Sequence, residues 1–222
     1  MRDALEELSI ALEETGLVVR GWCVDEVRHT AKFENHEARI VLIGNVGGAF
    51  WSLFQQSDFK GENALDRWTK HVLDPIAHRL GCVALYPSDQ PYQPFQNWAA
   101  KAEGLKASPL SFLMHPTYGL WHAYRAAFVF AGESFSPSSI SKQPHPSDSC
   151  RDKPCLSTCP VGAFTNEGYD VPRCVSHVVS KEGGVCSKGG CLARQACPVG
   201  VEYRYAEAQQ QFHMKAFVEA RE

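Results

Sequence analysis

Seven of the nine cysteines in this 222-residue chain crowd into a short stretch: Cys150, Cys155, Cys159, Cys174, Cys186, Cys191 and Cys197. Thiolates are soft ligands, and this density, with Cys23 and Cys82 standing apart, points to metal rather than to inert core thiols. The stretch is doubled. CRDKPCLSTCPVG spaces its thiols Cys-x4-Cys-x3-Cys-Pro, CSKGGCLARQACPVG spaces them Cys-x4-Cys-x5-Cys-Pro, and Cys174 lies between. A zinc site takes four ligands per ion, commonly from Cys-x2-Cys knuckles, and that spacing does not occur here. Disulfides would need an oxidising compartment and leave an odd thiol. Iron–sulfur clusters are what the spacing favours.

In two-cluster ferredoxins the cysteine before proline ligates the cluster whose other ligands come from the opposite half, so the halves interlock. Crossing the halves in that way assigns Cys159, Cys174, Cys186 and Cys191 to one [4Fe-4S] cluster and leaves Cys150, Cys155 and Cys197 for a second. The second set is one ligand short, and the position three before Cys150 is Ser147. Three readings stay open: the Ser147 oxygen ligates an iron, an outside ligand takes an open iron site, or the cluster is a [3Fe-4S] form. Asp148, Asp152 and His145 are near enough in sequence to substitute. Glycines 183, 184, 189 and 190 suit tight turns that aim backbone N–H groups at sulfur.

The elements that must position these residues fall in two parts. Leu5, Leu8 and Leu12 at helical spacing, then Gly16, predict an opening helix over 3–15. LVVRGWCV (17–24) and ARIVLIGNV (38–46) predict strands, the second buried on both faces. Leu65, Trp68, Val72, Ile76 and Leu80 predict a helix of about five turns, kinked at Pro75. GCVALY (81–86) and HAYRAAFVF (122–130) predict two more strands. Between them PSDQPYQPFQNWA (87–99), with its prolines, predicts a long loop carrying Tyr92, Phe95 and Trp98. SFSPSSISKQPHPSD (134–148) has linker composition. The last residues, with Tyr205, Ala208, Phe212 and Ala216 on one stripe and Met214, Phe217 and Val218 on another, predict a terminal helix. Little apolar periodicity runs through 149–200, so something besides a hydrophobic core must hold that part together.

Composition narrows the function. At 44% hydrophobic and 21% charged the chain is built to fold, and its net charge of -3 offers no basic field for nucleic acid. No run approaches the length of a membrane span, and the acidic amino terminus does not read as a secretory signal. The expectation is a cytoplasmic protein with neither a membrane nor a nucleic-acid partner. GNVGGAFW (44–51) lacks the Lys-Ser/Thr of a P-loop and the spacing of a dinucleotide fingerprint. His78 reads as a surface histidine.

The Cys-Pro, VPRCVSHVV and second Cys-Pro arrangement resembles the ferredoxin-like portion of epoxyqueuosine reductases and, more loosely, of reductive dehalogenases. FLMHPTYGLWHAYRAAFVF (112–130) resembles the His-Pro-x-aromatic-Gly-x-Trp-x-x-x-Arg segment of CblC-type cobalamin-processing proteins, and DRWTKHVLDPIAHRLGCVALYPSD resembles the helix and strand before it. These resemblances imply an α+β fold: a nitroreductase-like, CblC-like N-terminal domain (1–133), a linker (134–148), and a small ferredoxin-like two-cluster domain with a terminal helix (149–222). They imply a corrinoid cofactor, and at Arg125 a match to the arginine that helps hold glutathione. His115, Gly119 and Trp121 match the loop leading to it. Arg125 is also the one formally charged side chain in GLWHAYRAAFVFA, and such a residue in a strand is expected to meet an anion or to form a structural ion pair. The residues after the second Cys-Pro do not read as the helical-repeat extension that epoxyqueuosine reductases use for tRNA, so no tRNA partner is expected, and no Asp-x-His-x-x-Gly corrinoid signature occurs in the sequence.

The expectation is an iron–sulfur protein that takes electrons from a donor protein and passes them from two [4Fe-4S] clusters to a corrinoid (cobalamin) or similar cofactor. Arg125, His115, Trp121, Tyr92, Phe95 and Trp98 would line that cofactor's pocket. The rival is a plain electron carrier whose N-terminal domain is a docking scaffold.

Overall fold

The computed structural model describes residues 4–27, 38–131, 135, 144–165 and 167–221. In chain order the helices are α1 (Ala4–Leu12), α2 (Trp51–Gln56), α3 (Ala64–Arg79), α4 (Phe95–Glu103), α5 (Pro146–Ser149), α6 (Pro154–Ser157), α7 (Val171–Val179), α8 (Gly184–Gly189), α9 (Leu192–Gln195) and α10 (Glu207–Glu219). The strands are β1 (Val18–Asp25), β2 (Ala38–Val46), β3 (Val83–Leu85), β4 (Lys106–Ala107), β5 (Leu113–Met114), β6 (His122–Phe130), β7 (Phe164–Thr165) and β8 (Gly168–Tyr169). The fold is mixed α+β. It divides into two compact units, one of Met1–Leu105 with Ala123–Lys142 and one of Lys106–His122 with Gln143–Glu222. Among the described residues no helix is long and apolar enough to cross a membrane.

The first unit is a four-stranded sheet in the order β1-β2-β6-β3, with antiparallel β1–β2 and β3–β6 pairs. β2 is buried along nearly its whole length, as its unbroken apolar run predicts. Gly44 lies in β2 because a Cβ there would come within 2.1 Å of the Ala123 carbonyl oxygen. α1 buries Leu8 and Leu12, one helical turn apart, against β1, and the chain turns after it at Gly16 with φ +67°. The β1–β2 register slips between Val19 and Gly21, which makes Arg20 the extra residue of a β-bulge. α3 runs through Pro75 to Arg79, with Leu73 rather than Val72 on its buried face, and His78 is exposed.

One predicted loop ends in a helix. The prolines of 87–99 all precede Phe95, and from there Phe95, Trp98, Ala99 and Ala102 repeat at i, i+3, i+4 and i+7, which is the core face of α4. Pro94 caps the helix start and Gly104, with φ +69°, ends it.

The second unit departs from the sequence-drawn division. Residues 106–122, placed above in the N-terminal domain, fold with the cysteine-rich segment. The predicted linker lies mostly outside the described residues, and its last part is not linker but α5. The unit's core is small: Leu110, Met114, Leu120, Phe164 and Ala193 with the thiols of Cys155 and Cys197. α10 forms where a terminal helix is expected and packs on α8, with Phe212, Met214, Phe217 and Val218 half-buried and Tyr205 buried just before it. Ala208 and Ala216 are exposed, and the buried positions are Gln209 and Gln210. The desolvation of Gln210 is offset by hydrogen bonds, since its Nε2 donates to the Tyr205 carbonyl at 2.8 Å and its Oε1 accepts from Gln195 Nε2 at 3.0 Å.

Candidate metal centre

The seven clustered cysteines all belong to the second unit, and they stand in two groups. In the first, burial pushes up Cys174, Cys186 and Cys191, the last to about 11; Cys159 also raises Cys174 and Cys186, and Cys174 raises Cys186 and Cys191. In the second, burial raises Cys155 and Cys197; Cys197 and Cys150 add to the rise at Cys155, and Cys150 to that at Cys197. The groups Cys159/Cys174/Cys186/Cys191 and Cys150/Cys155/Cys197 are the two that crossing the halves draws. Helical elements carry or adjoin four of these thiols: α6 carries Cys155, α7 carries Cys174, α8 carries Cys186, and Cys191 is the residue before α9. α6 packs on α9, and α7 on α8.

Backbone N–H groups are turned toward these sulfurs. Ala163 N donates to Cys159 Sγ at 3.3 Å. The amides of Ala193 and Arg194 reach Cys191, that of Leu192 reaches Cys186, that of Val199 reaches Cys197, and that of Leu156 reaches Cys155, each favouring the thiolate. The Tyr169 hydroxyl does the same for Cys174, from a ring stacked on Phe164 at 4.7 Å. Burial disfavours an isolated thiolate while the amides favour a charged sulfur, an environment suited to thiolates whose charge a metal offsets. Among the described residues no three His, Cys, Asp or Glu side chains close on a single ion-sized point. A multi-iron cluster spreads its ligands over several metal atoms and asks for looser grouping than one zinc ion does.

The three-thiol group borders a pocket that Ser147 also lines, together with Met114, Leu110 and Leu120 of the 106–122 segment. Ser147 Oγ donates to Met114 Sδ at 3.4 Å. His145, at the cap of α5, accepts from Ser147 N through Nδ1 and bonds the Lys106 carbonyl through Nε2 at 3.3 Å. Lys106 pairs across the hairpin with Met114, so one histidine ties the serine to the strand that carries the methionine's partner.

The residues expected to line a cofactor pocket are not assembled in one unit. Tyr92, Phe95, Trp98 and Arg125 lie in the first, His115 and Trp121 in the second. Phe95 and Trp98 are core residues of α4, their rings 5.3 Å apart, whereas Tyr92 is 63% exposed. His115 Nδ1 accepts the Thr117 and Tyr118 amides at 3.0 and 3.1 Å, and the ring stacks on Tyr118 at 4.1 Å, closing the turn that ends at Gly119. Gly119 has φ +55°, and a Cβ there would meet the Val199 carbonyl oxygen at 2.1 Å. Trp121 is fully buried with the Arg194 guanidinium 4.5 Å from its ring centroid. Arg125 Nε donates to Asn45 Oδ1 at 3.0 Å and its guanidinium lies over Phe50.

Sequence reasoning missed Met114, and it missed a buried polar network in the first unit. The bulged Arg20 reaches Glu103 of α4 at 2.8 Å, with only 2% and 8% of their side chains exposed, and donates to the Asn45 carbonyl. Arg20 is a charge inside LVVRGWCV, the same signal that singled out Arg125.

Fold and site together describe an α+β chain with a small antiparallel sheet and a cysteine-rich unit. No protein-family model matches the chain, and no curated protein matches it.

Proposed function

We propose that this chain is an iron–sulfur redox protein whose second unit holds two clusters and passes electrons one at a time to a corrinoid or similar acceptor held by the first unit. The observation that carries the reading is the division of seven thiols into a group of four and a group of three, each met by backbone amides. Cys159, Cys174, Cys186 and Cys191 would hold one cluster; Cys150, Cys155 and Cys197, with Ser147 at the fourth position, would hold the other. Such clusters supply one-electron transfer at potentials set by hydrogen bonds to sulfur and by exposure. The chain's own part is to present the thiolates, donate amide hydrogens to them, and keep water away with Leu110, Leu120, Phe164 and Tyr169. A CblC-like, nitroreductase-like fold for the first unit, with Arg125 toward a corrinoid or glutathione, rests on the resemblance of residues 112–130.

A plain electron carrier is the second reading, and specific observations favour it: Phe95 and Trp98 are spent on the core, and Arg125 has a structural partner in Asn45. Anaerobic reconstitution with iron and sulfide, reduction, desalting and titration with cob(III)alamin separates the two. Return of cluster absorption as the corrinoid is reduced supports the corrinoid reading. Clusters that stay bleached, with no corrinoid shift, leave the carrier. A chain that takes up no iron and sulfide overturns both.

A further inference from the structure

The three-thiol group lacks a fourth sulfur ligand of its own kind, yet its pocket has a definite fourth side. That side is built from two segments far apart in sequence, β5 with Met114 and α5 with Ser147. Met114 is 3% exposed, so its thioether is held at the pocket rather than in solvent. The Ser147 hydroxyl is 3.4 Å from that sulfur, and both groups face the pocket that Cys150, Cys155 and Cys197 line. His145 fixes the pair, since its two ring nitrogens join the Ser147 amide to the Lys106 carbonyl opposite Met114. A flexible gap would not need such a brace. A hydroxyl and a thioether are both able to approach iron, and both bind it more weakly than a thiolate does.

We propose that Ser147 and Met114 together form the fourth corner of the three-cysteine cluster, a neutral oxygen and thioether site where the iron is exchangeable while the iron atoms held by thiolate are not. This rests on the reading that the unit holds clusters. Loss of that iron is balanced without an external oxidant: Fe2+ leaves a [4Fe-4S] core of charge 2+, its bonds to the core sulfides and to the corner donors break, and a neutral [3Fe-4S] core remains. No electron is transferred.

The test uses the full chain, reconstituted anaerobically, desalted, and counted for iron and sulfide before and after exposure to a ferrous chelator of the ferrozine type. Returned iron is supplied as 57Fe2+ and read by Mössbauer spectroscopy. The expected result is that the wild type releases about one iron in eight and takes 57Fe back at a single position. Ser147→Cys, which supplies a thiolate, should release none, and Met114→Leu, similar in size, should release the same iron at lower chelator concentration. Circular dichroism melts of both variants show whether they are folded. A wild type that keeps all its iron overturns the proposal, as does a wild type that loads only one cluster. Equal release from Met114→Leu and the wild type removes the thioether from the corner and overturns the paired site. Failure to load any iron or sulfide is a different result, and it overturns the cluster reading beneath the proposal.

Discussion

Arg125 donates through Nε to the side-chain oxygen of Asn45, 3.0 Å away and fully buried. The same asparagine donates from Nδ2 to the Gly47 carbonyl at 3.0 Å and accepts at its own carbonyl from Arg20. Asn45 is therefore the joint between β2, its glycine turn and two arginines. Asn45→Ala is expected to lower stability by about 1–3 kcal/mol, measured by denaturant unfolding. If Arg125→Ala also lowers the melting temperature while corrinoid or glutathione affinity stays unchanged, the arginine is structural. Lost affinity at unchanged stability assigns it to a ligand.

Arg20 and Glu103 form a buried ion pair, and breaking it from one side should be costly. Arg20→Met leaves the Glu103 carboxylate without that cation and is expected to cost about 3–5 kcal/mol at neutral pH, while Arg20→Met/Glu103→Leu recovers most of it. Burial holds the Glu103 pKa above its ordinary value, with Arg20 pulling in the opposite direction. A raised carboxyl pKa means that the folded state binds the proton more tightly. The contribution of this group to stability is therefore greatest at low pH and falls as pH rises from the unfolded value through the folded one. Arg20→Met should steepen that fall, and urea unfolding between acid and neutral pH measures it.

The two thiol groups predict separable losses. Cys174→Ser is expected to remove about half of the reconstituted iron and sulfide and to leave the half associated with Cys150, Cys155 and Cys197. Cys155→Ser should do the reverse. Electron paramagnetic resonance of the reduced variants identifies which signal survives. Loss of both signals from either single variant would mean that the groups do not act as two centres.

Gly119 and Gly200 face each other where the 115–119 turn meets the chain just after Cys197. Gly200 has φ +70°, and a Cβ there would lie 2.4 Å from the Tyr118 carbonyl carbon. Gly119→Ala adds both a strained left-handed backbone angle and a clash with the Val199 oxygen, and is expected to cost at least about 2 kcal/mol. Because Val199 N also serves Cys197, the variant should retain less iron after desalting than the wild type does.

Local signals carried the parts of this protein that depend on neighbours in sequence. Leu8 and Leu12 announce α1, the apolar run of 38–46 announces a strand buried on both sides, and the doubled Cys-Pro spacing announces two groups of thiols. Each is a periodicity or a spacing over a few residues, which the backbone converts directly into a face or a cluster. What the tertiary structure alone decided depends on partners far away along the chain. The bulge at Arg20 is a slip of β1 against β2, visible only in the pairing, and it sends that charge to Glu103. Phe95 and Trp98 became core because α4 packs on β1. The hairpin of 106–114 joined the cysteine unit, where Met114 meets Ser147, because the small apolar core around Cys155 and Cys197 needed Leu110, Met114 and Leu120 to fill it. Burial and register are properties of pairs of segments, and no single segment encodes its partner.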